Sequence, residues 1–220
     1  MNKIMELYFV RHGKTKWNLE GKYQGGHGDS PLLPESIKDI KLLSKRLDGI
    51  NLANAYTSPL PRAKTTAETL IADLKQSVNL TVVDDLREFD LGIMEGQKFV
   101  KLEKEIPEVI HAFRFEPSKY DADQIKGESF EEVAERTTNA VKKIVSENDD
   151  NSSILIVSHG AALVTLIQSL LGTKVADIRK DGGLSNTSLT HLQYSNNEFK
   201  LIKWNETGYL HKKLESTDTI

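Results

Sequence analysis

The pattern of hydrophobic and polar positions along the chain changes repeatedly between the period of a strand and that of a helix. Apolar residues recur at helical spacing after Pro34 and again after Pro61, and proline is favoured in the first turn of a helix. Short apolar runs predict buried strands at 4–9, 53–58, 80–83 and 154–157. Up to residue 83, the predicted order of elements is therefore β-α-β-α-β.

The second half of the chain continues this alternation. Ser129 and Glu132 have the spacing of a capping box, which predicts a helix from this point to about residue 145. A further helix is expected at 162–171, directly after the strand at 154–157. Between the two halves, the polar segment 116–127 predicts a surface loop or lid.

The chain ends in two more strand-like segments, 188–194 and 199–204, around Asn196 and Asn197, which predict a hairpin. Alternating strands and helices indicate an α/β protein, a three-layer α-β-α sandwich with a mostly parallel central sheet. We expect a single domain over 1–220, because this length buries a sufficient core without a metal or disulfide.

Composition excludes several classes of function. The chain has no cysteine, which rules out thiolate nucleophiles, disulfides and Cys-ligated zinc, and its six histidines lack metal-site spacing, so no metal or cofactor is expected. A net charge of −3 provides no general attraction for nucleic acid. No apolar run reaches membrane-spanning length, and the N-terminus lacks a signal-peptide core, so we expect a cytoplasmic protein without membrane partners.

Cationic side chains follow two of the predicted strands. Arg11-His12-Gly13 follows the first strand, and His159-Gly160 follows the strand at 154–157. Because parallel strands end at one edge of a sheet, the two histidines are expected to meet there. Arg62, in the first turn of the helix after Pro61, opposes the helix dipole, which a bound phosphate would explain.

A carboxyl group near such cations could act as a general acid and then as a general base. Glu88, Asp90 and Glu95 all follow the third strand, and chemistry alone does not choose among them. Serine-hydrolase chemistry is excluded because the chain lacks a Gly-x-Ser-x-Gly elbow. Nucleotide-dependent transfer is excluded because it lacks the phosphate-binding loop Gly-x-x-x-x-Gly-Lys-[Ser/Thr].

A series of motifs in this order resembles the histidine phosphatase superfamily, in its phosphoglycerate-mutase-like branch. The matching segments are Arg11–Asn18, Gly21–Gly25, Asp29–Leu32, Ser58–Ala63, Leu86–Glu88, Gly127–Ser129, Val157–Gly160 and Leu184–Ser188. The resemblance covers nearly the whole chain. It implies the three-layer fold and a small phosphorylated substrate.

The resemblance also implies roles for individual residues. His12 would be the nucleophile that forms a phosphohistidine, and Glu88 would be the proton donor. The phosphoryl oxygens would be held by Arg11, Arg62 and a protonated His159, with further contacts from Asn18, Gln24, Gly25 and Gly160.

Departures from the mutase pattern favour a phosphatase. Dedicated mutases have a Glu-Arg-His-Tyr-Gly type segment at Glu88, a long insertion with an arginine pair before His159, and Asn at position 161. This chain has Glu88-Phe89-Asp90, a shorter connection to His159, and Ala161. A cofactor-dependent phosphoglycerate mutase is the first alternative, and a non-catalytic binder of phosphorylated ligands is the second.

Overall fold

The computed structural model describes residues 3–213, which contain six strands and seven α-helices. The strands are β1 (Met5–Arg11), β2 (Leu52–Thr57), β3 (Asn79–Val82), β4 (Ser153–Ser158), β5 (Leu189–Ser195) and β6 (Glu198–Glu206). The helices are α1 (Lys16–Leu19), α2 (Pro34–Arg46), α3 (Pro61–Asp73), α4 (Phe99–Glu105), α5 (Pro107–Phe115), α6 (Phe130–Ser146) and α7 (Gly160–Leu170).

All six strands form one sheet in the order β3-β2-β4-β1-β5-β6. The four strands from β3 to β1 are parallel, whereas β5 pairs antiparallel with both β1 and β6. The predicted α/β fold with a mostly parallel sheet is therefore confirmed, as is the terminal hairpin. Parallel pairing of β1 with β4 brings Arg11 beside Ser158 at the carboxyl edge of the sheet.

Two hydrophobic clusters cover the two faces of the sheet and produce the three layers. Along β1, Leu7 and Phe9 belong to the cluster shared with α6 and α7, and Tyr8 and Val10 belong to the cluster shared with α2 and α3. Successive strand residues point to opposite faces, so alternate apolar residues supply both cores. The central strands read as continuous apolar runs for this reason.

Helices α4 and α5 were not predicted from the sequence. Neither Lys98 nor Ile106, which precede them, makes a side-chain capping hydrogen bond, but α5 begins with Pro107, the same signal that marks α2 and α3, and this signal was overlooked. The following segment 116–127 contains two short 3₁₀ turns anchored by buried Ala122 and Ile125. Its role as a lid stays a prediction.

The hairpin turn and the capping box that the sequence predicted are both present in the structure. Asn196 and Asn197, in the turn of the β5–β6 hairpin, have φ angles of 52° and 64°, as a type I′ turn requires. Ser129 and Glu132 form the predicted capping box at the start of α6. Among the described residues, no helix combines the length and the apolar character needed to cross a membrane.

Replacing Ser129 with Ala should lower the free energy of unfolding by about 1 kcal/mol, because one backbone N–H at the start of α6 loses its acceptor. Urea unfolding followed by circular dichroism measures this change. Ser146→Ala is the matched control, because the Ser146 hydroxyl only donates to the Lys143 carbonyl at the exposed end of α6. An equal loss in both variants would contradict the capping assignment.

Candidate active site

The two His-Gly pairs meet at the carboxyl edge of the sheet. His12 follows β1 and His159 follows β4, and their ring centroids lie 5.2 Å apart. Both rings are almost fully buried, with 3% and 0% of the residues exposed. Gly160 begins α7, and a Cβ atom added to it would lie 3.1 Å from Nε of Arg11. Glycine at this position therefore allows the Arg11 side chain to pack against the start of the helix.

A hydrogen bond to the backbone fixes which ring nitrogen of His12 carries the proton. Its Nδ1 lies 2.8 Å from the carbonyl oxygen of Gly13, and because a carbonyl only accepts, Nδ1 is the nitrogen that carries the proton. The neutral ring therefore has its lone pair on Nε2. Burial, with Arg62 and Arg11 nearby, holds the pKa of His12 well below its ordinary value of 6.5. A neutral, correctly oriented imidazole is the nucleophilic form.

The second histidine, His159, is surrounded by groups that oppose a positive charge on its ring. Its Nε2 lies 2.7 Å from Oγ of Ser58, and its buried Nδ1 has no hydrogen-bond partner among the described residues. Burial, together with the nearby charges of Arg62 and Arg11, lowers the pKa of His159 well below 6.5. The protein's own groups thus favour the neutral ring, since each proton added to this cluster meets cations already there.

Arg62 is buried and organises the loop 25–29. Its NH1 donates to the Gly28 carbonyl and to Oδ1 of Asp29, both at 3.0 Å, and its NH2 donates to the Gly25 carbonyl at 2.9 Å. The Nε of Arg62 is buried without a hydrogen-bond partner in the described chain. A guanidinium has five N–H groups, so this arrangement leaves donors available for an anion after the loop is bound.

Three further donors come from the segments around the two histidines. Oε1 of Gln24 accepts from Oγ1 of Thr15 at 2.8 Å, and this fixes a buried Nε2 that has no partner within residues 3–213. Oδ1 of Asn18 accepts from Thr15 N at 3.1 Å, so the amide nitrogen of Asn18 points away from Thr15 N. Arg11 is fully buried and donates through NH1 to the Leu184 carbonyl at 2.5 Å.

The structure separates the three candidate carboxylates that the sequence left open. Glu88 is 4% exposed, and its two oxygens accept from the backbone N–H groups of Ala161 (3.1 Å) and Ala162 (2.8 Å) at the start of α7. Asp90 accepts from the Gly92 N–H at 2.8 Å and lies nearer the surface. Only Glu88 therefore belongs to the buried cluster beside His159.

Glu95 has a structural role that sequence reasoning did not assign. Its carboxylate accepts from the backbone N–H groups of His27 and Gly28, and so binds the same loop, 25–29, that Arg62 organises. A Cβ atom added to Gly25 would lie 2.3 Å from Oε1 of Glu95, so this close approach requires glycine.

Arg136 on α6 is a second residue that the sequence did not reveal. Its guanidinium donates to the carbonyls of Arg87 (2.9 Å) and Glu88 (3.0 Å) and forms a two-bonded ion pair with Glu128, at 2.8 Å for each bond. Glu128 also accepts from the Asp90 N–H at 2.9 Å. Arg136 and Glu128 together fix the backbone on both sides of the Glu88 side chain.

The loop between α7 and β5 covers the other side of His12. Nδ2 of Asn186 donates to the carbonyl of His12 at 3.2 Å and to Oδ1 of Asn18 at 3.3 Å. The N–H of Thr187 donates to the Arg11 carbonyl at 3.1 Å, and Thr187 has a positive φ of 58°. Hydrogen bonds and chain neighbours thus connect all nine residues of the predicted site around the two imidazole rings. Within residues 3–213, no group of three or more acidic or histidine side chains could hold a metal ion.

This fold and this edge arrangement agree with the comparison with known proteins. The family model of the histidine phosphatase superfamily, branch 1, matches residues 7–207. The chain belongs to this superfamily.

Individual relatives carry both phosphatase and mutase names. A protein of Cronobacter sakazakii named probable phosphoglycerate mutase GpmB is 30% identical over 203 residues, covering 91% of this chain and 90% of the relative. YhfR of Bacillus stearothermophilus has a TM-score of 0.87 at 31% identity, over 94% of this chain and 100% of that one. A phosphoserine phosphatase of Entamoeba histolytica, solved with phosphoserine, has a TM-score of 0.79 at 28% identity, over 94% and 99%.

At pH 6.5, the ordinary pKa of histidine, the His12 ring should be neutral, with the proton on Nδ1. Because the pKa of His12 lies below this pH, the imidazolium form has already lost one of its two ring protons. Imidazole ¹⁵N chemical shifts measure both the charge and the tautomer, and the His12→Ala variant assigns the resonances. An imidazolium spectrum for His12 at this pH would contradict the assignment.

Proposed function

We propose that this protein is a phosphomonoester hydrolase that acts on a small phosphorylated metabolite through a phosphohistidine intermediate, without a metal ion or cofactor. One observation carries the proposal. The bare Nε2 of His12 lies in a buried cluster where Gln24 Nε2 and Arg62 Nε have no partner among the described residues. Buried polar groups are nearly always hydrogen-bonded, so donors left in this way fit the oxygens of a phosphoryl group.

In the first step, Nε2 of His12 forms a bond to phosphorus and the bond from phosphorus to the substrate oxygen breaks. Glu88 gives its proton to the departing oxygen, so that an alcohol leaves. Arg11, Arg62 and the amide donors hold the phosphoryl oxygens, whose charge is spread over three equatorial positions in the transition state.

In the second step, water attacks the phosphohistidine and Glu88 takes one of its protons. The bond from His12 to phosphorus breaks, and inorganic phosphate leaves with the ring neutral again. His159 has a changing role in this scheme. A phosphate dianion beside it opposes the effect of Arg11 and Arg62 and raises its pKa, so His159 gains its proton together with the substrate.

The phosphatase assignment is supported by the sequence between Glu88 and His159. A mutase must hold a bisphosphate in two orientations, and the arginine pair that dedicated mutases carry in a long insertion has no counterpart in this shorter segment. The Ala161 N–H, at the position where those mutases have Asn, is bonded to Glu88. The mutase alternative is favoured by the names of relatives such as GpmB.

The direct test is phosphate release from p-nitrophenyl phosphate and from a panel of phosphorylated metabolites, with and without 2,3-bisphosphoglycerate. We expect hydrolysis that does not need the bisphosphate and survives EDTA. His12→Ala should abolish turnover and the acid-labile phosphoenzyme, and His27→Ala, an exposed histidine outside the cluster, is the matched control.

Three outcomes would contradict the proposal. Isomerisation of 3-phosphoglycerate that depends on bisphosphate and releases little phosphate would establish a mutase. Tight phosphate binding without turnover would establish a non-catalytic binder. Retained turnover in His12→Ala would exclude the covalent route.

Glu88→Gln should slow the first turnover of alkyl phosphates by roughly 10²–10⁴-fold and that of aryl phosphates far less, because a nitrophenolate leaves without a proton. Rapid-quench measurement of a single turnover separates this step from dephosphorylation. The phosphoenzyme should accumulate with the aryl substrate, since the base for the second step is also lost. Equal first-turnover losses for both substrate classes would show that Glu88 is not the proton donor.

A further inference from the structure

A buried hydroxyl on α3 connects the segment that carries His12 to the helix that carries Arg62. Oγ1 of Thr66 accepts from the backbone N–H of Gly13 at 3.0 Å and donates to the carbonyl of Arg62 at 2.7 Å. Thr66 is fully buried, with 0% of its surface exposed. The direction of both bonds is fixed, because a backbone N–H only donates and a carbonyl only accepts. The hydroxyl therefore stands in the middle of a chain of hydrogen bonds that runs from the residue after His12 to the backbone of Arg62.

A threonine within a helix does not ordinarily hold a second segment of the chain. Its hydroxyl usually donates to the carbonyl four residues earlier, and this bond lies within the helix. Thr137 on α6 has this ordinary arrangement, because its buried hydroxyl donates to the Val133 carbonyl at 2.6 Å and to the Ala134 carbonyl at 3.5 Å. Thr66 makes the corresponding bond and, in addition, the bond to Gly13. A comparison of the two threonines therefore isolates the additional bond.

The bond to Gly13 is important because Gly13 orients the ring of His12. The Gly13 carbonyl lies 2.8 Å from Nδ1 of His12, and this bond leaves the lone pair on Nε2. Glycine has the widest choice of backbone torsion angles, so its own conformational preference does not fix the direction of this carbonyl. Contacts from other segments must supply the restraint.

Two other segments hold the backbone around Gly13. A Cβ atom added to Gly13 would lie 3.0 Å from Cβ of Ser36, so α2 packs closely against this residue. In the peptide that joins His12 to Gly13, the carbonyl accepts from Nδ2 of Asn186 at 3.2 Å and the N–H donates to Thr66. The peptide is thus held at both of its polar atoms, and Thr66 supplies the bond to its N–H.

We propose that Thr66 is a positioning residue for the nucleophile: its hydroxyl holds the Gly13 backbone so that His12 keeps its proton on Nδ1 and presents Nε2 to phosphorus. The same hydroxyl ties the nucleophile's segment to the helix of a phosphate-binding arginine, through the Arg62 carbonyl. The effect of Thr66 on the reaction rests on the proposed function, whereas its effect on the His12 ring is measured without substrate. The competing explanation is that the hydroxyl only stabilises the fold.

The test removes the hydroxyl while nearly keeping the shape of the side chain. Thr66→Val lacks the hydroxyl and Thr66→Ser retains it. Thr66→Ala also lacks it, in a smaller residue, so the test does not depend on how valine packs. Thr137→Val is the matched control, since among the described residues the Thr137 hydroxyl bonds only within its own helix.

Two measurements are made on each variant. Imidazole ¹⁵N chemical shifts of His12 in the protein without substrate report the tautomer. Rapid-quench measurement of a single turnover of p-nitrophenyl phosphate, at saturating substrate, reports the rate constant of phosphoenzyme formation. This rate constant does not depend on the fraction of folded enzyme in the preparation.

We expect Thr66→Val and Thr66→Ala to slow phosphoenzyme formation by roughly 10–100-fold, since a small displacement of a reacting atom has effects of this size. The loss should be in the maximal rate, with the half-saturating substrate concentration nearly unchanged, because the donors to the phosphoryl oxygens are retained. The Nε2–H tautomer of His12 should become populated in both variants. Thr66→Ser and Thr137→Val should keep the Nδ1–H tautomer and a rate close to that of the unchanged protein.

The proposal fails in three cases. If Thr66→Val leaves both the tautomer and the rate unchanged, the hydroxyl only stabilises the fold. If Thr66→Ser loses as much as Thr66→Val, the hydroxyl is not the cause of the loss. If Thr137→Val gives an equal loss, the effect is a general one of helix stability. Absence of a phosphohistidine in the unchanged protein with every phosphomonoester would instead reject the proposed function, and the tautomer comparison would then decide whether Thr66 positions the His12 ring.

Discussion

The burial of several cationic or potentially cationic groups at one edge of the sheet is the constraint on which the rest of the structure depends. Arg11, Arg62, His12 and His159 all have 3% or less of their surface exposed. Removing charge from water is costly unless hydrogen bonds and opposite charges compensate. The fold limits this cost by keeping both imidazoles neutral, since neighbouring guanidinium groups and burial lower the pKa of each ring.

The remaining positive charge is compensated mainly by backbone atoms and by a few acidic side chains. The NH1 and NH2 groups of Arg62 donate to two loop carbonyls and to Asp29, and the same loop is also bound by Glu95. Glu88 receives N–H groups from the first turn of α7, where the helix dipole also favours negative charge. Hydrogen bonds within the fold thus hold the cluster in place, and in the proposed function a phosphoryl group supplies partners for Gln24 Nε2 and Arg62 Nε.

The sequence predicted those parts of the molecule that depend on local signals. Prolines 34 and 61 marked the starts of α2 and α3, Ser129 and Glu132 marked α6, and two asparagines marked the hairpin. The meeting of the two histidines also followed from the sequence, because parallel strands end at one edge. Helix α4 has no capping side chain, so tertiary packing rather than local sequence defines it, whereas Pro107 at the start of α5 was a local signal that sequence reasoning passed over.

Residues that act through long-range contacts could not be predicted in this way. Arg136 lies 48 positions from Glu88, whose carbonyl it binds, and neither its residue type nor its spacing on α6 distinguishes it from a solvated arginine. The lowered pKa of His159 in the protein without a ligand could not be predicted either, because an isolated motif does not reveal that two guanidinium groups lie close enough to oppose a further positive charge.

The same electrostatic balance bears on the choice between hydrolysis and phosphoryl transfer to a second alcohol. Once the first product leaves, the phosphohistidine can react with water or with an alcohol that is held in place. A mutase must retain the monophosphate long enough for it to turn around, which requires cations arranged symmetrically about the phosphoryl group. In this chain the segment between Glu88 and His159 is shorter than in dedicated mutases, and its Arg114 is paired with Glu103. In the proposed function, release of the alcohol leaves the phosphoenzyme open to water, because this segment lacks the arginine pair that dedicated mutases carry.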